Sequence, residues 1–72
     1  MLRIHVNDPG RLGELHDALA RAECRPVEVE DDTLLIAHPL ALDEREARLE
    51  LSFFLKAWQA AQEPAVEAHI LD

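Results

Sequence analysis

Val27-Glu28-Val29-Glu30-Asp31-Asp32-Thr33-Leu34-Leu35-Ile36-Ala37-His38, near the middle of the chain, is the stretch that decides the fold. Val27 to Glu30 alternates apolar and acidic residues, the two-residue period of a half-buried strand, and its valines are expected to point inward. Thr33 to His38 is almost continuously apolar, the pattern of a strand covered on both faces, which places it at the centre of a sheet. Asp31-Asp32 makes a tight turn between the two runs, so together they predict a hairpin.

Outward from the hairpin, prolines set the limits. Pro26 and Pro39 both interrupt helix, because proline lacks the amide hydrogen that a helix interior needs. Before Pro26, the residues Leu12, Leu15, Leu19 and Ala22 recur at three- and four-residue spacing and form one apolar stripe of a helix running from Pro9 to about Glu23. Asp8 is its natural N-cap, and Pro9 suits the first position, where its missing amide hydrogen is no loss. Before that, Leu2-Arg3-Ile4-His5-Val6 alternates as a first strand, with Leu2, Ile4 and Val6 toward a core. After Pro39, Asp43 and Glu46 form a capping box for a second helix that reaches about Gln62 and is stopped by Pro64. Ala65 to Leu71 alternates again, with Val66, Ala68 and Ile70 on one side, and makes a fourth strand. The order predicts an α+β fold: a ferredoxin-like βαββαβ sandwich, with two helices on one face of a four-stranded antiparallel sheet, as a single domain over residues 1–72.

Composition narrows the class. The chain has 72 residues and 49% hydrophobic content, yet Phe53, Phe54 and Trp58 are its only aromatic residues, so aliphatic side chains must fill a small core. Cys24 is the single cysteine and cannot form an intramolecular disulfide, which points to a cytoplasmic protein with Cys24 as a small buried hydrophobe. The apolar run at the start is too short for a signal peptide, and no stretch approaches the roughly 20 apolar residues of a membrane span. A net charge of −8 repels a phosphate backbone, so nucleic acid is not an expected partner. Nor is a membrane surface, because the polar positions of the second helix carry as much acid as base.

Catalytic chemistry finds little support. The four histidines show no His-x-x-His or His-x-x-x-His spacing. His5, His69 and Glu67 share one open face if the first and last strands pair, but no metal site is expected from them. Ser52 lies inside a helix, and Cys24 has no activating neighbour in the sequence. Glu28, Glu30, Asp31 and Asp32 are accounted for as a charged hairpin rim. Gly10 and Gly13 are the only glycines, too few for a phosphate-cradling loop. The chain is therefore expected to carry no catalytic residue and no cofactor, and not to be an enzyme.

The junction of the first strand and first helix, His5-Val6-Asn7-Asp8-Pro9-Gly10-Arg11-Leu12, is richer. Amide hydrogens and the positive end of the helix dipole meet there, an arrangement suited to a carboxylate or phosphate. Gly10 leaves room for close approach, Asn7 offers a donor and an acceptor, and His5 a further donor. Asp8 adds negative charge, which opposes a carboxylate unless Arg11 offsets it. The ligand contacts expected here are His5, Asn7, Asp8, Gly10 and Arg11, and the ligand is a small anion such as an amino acid.

In the pattern His5-x-Asn7-x-Pro9-Gly10-x-Leu12, the junction resembles the ACT domain, a family of small βαββαβ regulatory modules that commonly bind amino acids between two copies. The resemblance implies that His5 and Asn7 occupy ligand-contacting positions and that Pro9, Gly10 and Leu12 form the turn and the first core position of the helix. It also implies a homodimer.

The second helix carries more apolar surface than one sheet can cover. On a 3.6-residue projection Ala47, Leu51, Phe54, Leu55 and Trp58 lie together, whereas Leu42, Leu49, Phe53 and Ala60 lie on the opposite side. That second stripe is the expected interface, with another copy or with a protein partner. Two functions follow. One is a small-molecule-binding regulatory module acting as a homodimer, and the other is a stand-alone interaction or assembly module with no small-molecule ligand.

Overall fold

The computed structural model describes residues 1–71, and its sheet is built around β1 (Leu2–Val6). On one side β1 pairs with β3 (Thr33–Ala37), which pairs in turn with β2 (Arg25–Glu30), and on the other side it pairs with β4 (Ala68–Leu71). All three pairings are antiparallel, and the strand order is β2-β3-β1-β4. Helix α1 (Leu12–Arg21) connects β1 to β2, and α2 (Glu44–Ala60) connects β3 to β4. The architecture is thus α+β, a four-stranded open antiparallel sheet with two helices.

Register decides which side chains meet. Leu2 stands opposite Ile36, Ile4 opposite both Leu34 and Ile70, and Val6 opposite Ala68. Apart from Ile70, which is partly buried against them, these residues share one buried cluster with Leu12, Leu15 and Leu19 of α1 and with Ala47, Leu51 and Leu55 of α2, so both helices cover the same sheet face. Ile4, Leu15, Leu19 and Leu34 are completely buried. Each such side chain is worth about 1.5–3 kcal/mol relative to an exposed position.

The valines of β2 do not point inward. Val27 pairs with Leu35, not with Leu34 or Ile36, and is 52% exposed on the open face of the sheet. Val29 is exposed too, at the irregularity in pairing between Glu28 and Glu30. Alternation shows that every second residue shares a face. It does not say which face, and a shift of one residue exchanges them.

The helix ends are each explained by named bonds. The first helix opens with a 3-10 turn over Pro9–Arg11 before α1 proper begins at Leu12. It stops two residues earlier than its apolar stripe implies, and Ala22 is exposed. There Glu23 adopts a φ of 65°, its amide donates to the Ala20 carbonyl at 3.1 Å, and the Cys24 amide donates to the Leu19 carbonyl at 3.0 Å. This is a Schellman ending with the buried pair Leu19 and Cys24 as its apolar contact, achieved without the usual glycine.

At the start of α2, Asp43 Oδ1 accepts from the Glu46 amide at 2.8 Å, as a capping box requires. Glu46 returns its carboxylate to the Leu42 amide at 3.2 Å, one residue before the cap. The helix ends at Ala60, short of Gln62, and β4 begins only at Ala68. Val66 is nonetheless buried ahead of the strand. Among the described residues, no helix is long and apolar enough to cross a membrane.

Candidate functional site

At the β1–α1 junction the polar groups are engaged within the chain. The Gly10 amide donates to Asp8 Oδ1 at 3.0 Å, the Arg11 amide to the Asp8 carbonyl at 3.0 Å, and the Leu12 amide to the Pro9 carbonyl. Asp8 therefore occupies the amide end where an anion was expected. A Cβ on Gly10 would sit 3.2 Å from the same Asp8 oxygen, so this glycine makes room for its own cap.

Asn7 and Arg11 act as clamps. The Asn7 amide donates to the Glu67 carbonyl and Asn7 Oδ1 accepts from the Glu67 amide, both at 3.0 Å, which fastens the loop to the segment entering β4. The Arg11 guanidinium donates to Gln62 Oε1 at 3.0 Å, to the Glu63 carbonyl at 2.9 Å and to Glu14 Oε2 at 3.2 Å. It thereby joins the start of α1 to the residues just past the end of α2.

His5 turns the other way, toward the hairpin. Its Nε2 donates to Asp32 Oδ2 at 3.0 Å, while the Thr33 hydroxyl donates to Asp32 Oδ1 at 2.9 Å. These bonds, that of Thr33 foremost, hold Asp32 below the usual carboxylate range against the partial desolvation that opposes them. His5 also stands directly opposite His69 across β1 and β4. Among the described residues, no group of three or more His, Cys, Asp or Glu side chains is placed to hold a metal ion. Of the five candidate ligand residues, Asn7, Asp8, Gly10 and Arg11 thus lie along the junction, whereas His5 lies within β1 and turns toward the hairpin.

The outer face of α2 presents the opposite picture. Leu49 and Phe53 are 58% and 66% exposed, and Ala60 is exposed with them, whereas Leu42, 91% exposed, precedes the Asp43 cap and lies outside the helix to which its spacing assigned it. Ala47, Leu51 and Leu55 are buried on the inner face, with Phe54 and Trp58 packed partly against the core. A shallow open depression beside Leu49 is lined by Asp43, Arg45, Glu46, Arg48, Leu49 and Ser52.

Two polar groupings have no signal in the sequence. Asp32, legible only as a turn and hairpin-rim residue, is the acceptor that joins β1 to the hairpin. His38, just past β3, lies with Nε2 against Glu50 Oε2 on α2, and its buried Nδ1 has no hydrogen-bond partner among the described residues. Burial first, and the nearby Glu50 charge second, push the Cys24 thiol up from its ordinary range. Cys24, His38 and Glu50 are separated by 14 and 12 residues, beyond any local motif.

Compared with models of known families, with curated proteins and with solved structures, the chain finds no match in any of the three.

Proposed function

We propose that this chain is an assembly module whose working surface is the outer face of α2. The observation that carries this reading is the exposure of Leu49 and Phe53 side by side on a helix whose inner face already covers the sheet. Leaving such a patch in water costs solvation free energy that association recovers. A ligand site at the β1–α1 junction has less support, because Asp8, Asn7 and Arg11 spend their bonding capacity on holding the chain together. That reading, and the ACT resemblance behind it, ranks second here.

The architecture itself is best described as a ferredoxin-like sandwich, which the βαββαβ order and the central placement of β1 and β3 support. A reducing compartment such as the cytoplasm suits a buried free thiol. No enzymatic role enters this reading.

Light scattering across a concentration series tests it, on the wild type and on a Leu49→Glu/Phe53→Glu variant whose fold is checked by circular dichroism. The expected result is a mass that rises with concentration in the wild type and stays at one chain in the variant. Equal masses at every concentration would remove the reading.

A further inference from the structure

The outer face of α2 has a symmetry of its own. Taken at alternating steps of three and four residues, it runs Glu46, Leu49, Phe53, Lys56, the spacing of a coiled-coil seam. The order is charged, apolar, apolar, charged. It is palindromic about position 51, and the two charges are of opposite sign.

We infer that the partner for this face is a second copy of the chain, docked with the two α2 helices antiparallel about a two-fold axis near Leu51. This rests on the assembly reading above and specifies its partner. An antiparallel two-fold pairing sets Leu49 against the partner copy's position 53. It also sets Glu46 against position 56, so each carboxylate meets an ammonium, twice per dimer. A parallel pairing instead sets Glu46 on Glu46 and Lys56 on Lys56, which repels at both places. Among the described residues Lys56 makes no ion pair, so its charge is available.

Shape supports the same partner. Of the residues around the depression beside Leu49, Arg45, Arg48, Leu49 and Ser52 stand at i, i+3, i+4 and i+7. That footprint receives one side chain from a facing helix. The depression lies beside Leu49, the residue that the antiparallel register sets against position 53 of the second copy. A foreign helix would have to reproduce the spacing and the inverted charges, whereas a second copy has both by identity.

Sedimentation equilibrium on charge-reversed variants tests the arrangement. Glu46→Lys alone and Lys56→Glu alone each replace two attractive pairs with two repulsive ones and should weaken the dimer about tenfold. The double variant Glu46→Lys/Lys56→Glu should return to near wild-type affinity, which loss of the Glu46 cap bond cannot mimic. In a Cys24→Ala background, chains carrying Glu46→Cys and chains carrying Lys56→Cys should form a disulfide when mixed. Neither should do so alone, since each position lies roughly 15 Å from its own mate at 1.5 Å per residue. If Phe53→Glu dissociates the dimer but the double reversal does not recover and the mixed disulfide does not form, the antiparallel arrangement is overturned while the surface stands. If the wild type dimerises and Phe53→Glu has no effect, the surface itself is wrong, and this inference falls with it.

Discussion

Asp32 shows how much one side chain can do in a chain this small. It accepts from His5 across the sheet and from the neighbouring Thr33, and its carboxyl is held below the usual range. Because the folded value is the lower one, the ionised carboxylate stabilises the fold at pH values above the unfolded value of about 3.9, and that contribution disappears as the pH falls through the folded value. Calorimetric melting from about pH 2 to pH 7 should therefore show a shallower acid limb in Asp32→Asn than in the wild type. Parallel curves would mean that the His5 and Thr33 contacts carry no linkage. In the sequence Asp32 is legible as a turn and hairpin-rim residue and no more, because its partner His5 is 27 positions away and nothing local reports the encounter.

At the scale of elements, Arg11 clamps the β1–α1 junction to the segment that follows α2. Its guanidinium reaches Gln62 and Glu63, just past the end of α2, with only 23% of the side chain exposed. Arg11→Ala should cost about 1–3 kcal/mol, since bonds from a charged donor are lost and two acceptors are left without it. Hydrogen exchange should speed up at Trp58 to Gln62. Arg11→Lys should recover only part of this, because an ammonium cannot present the planar fork that spans both acceptors. Unchanged exchange at the end of α2 in Arg11→Ala would show that the clamp is not what holds it. The elements themselves were legible: the Asp43–Glu46 cap, the Pro9 start and the Leu12, Leu15, Leu19 stripe all stand where local rules put them. The uses of Asn7, Asp8 and Arg11 were not, because the same donors and acceptors suit a ligand or a neighbouring segment equally well until the chain closes on itself.

For the whole molecule, the balance is narrow. At about 0.05–0.15 kcal/mol per residue, a chain of this length holds roughly 4–11 kcal/mol of stability. Leu34→Ala, in the centre of the core, should cost about 2–5 kcal/mol and thus much of that total. Val27→Ala, on the open sheet face, should cost under about 1 kcal/mol. Urea denaturation of both variants checks the register directly: equal losses would put Val27 inside with Leu34, contrary to its pairing with Leu35.

The amino-acid order by itself determined which segments are helices and which are strands, where they are capped or broken, and that α2 has two apolar sides, because periodicity, prolines and caps act over a few neighbouring residues. Only the tertiary structure decided that Val27 faces outward, that His5 meets Asp32, and that Arg11 holds the segment just past α2. Each of those depends on the phase in which distant segments pair, and that phase is set by the total burial of the assembled sheet and helices, which no short stretch of chain encodes.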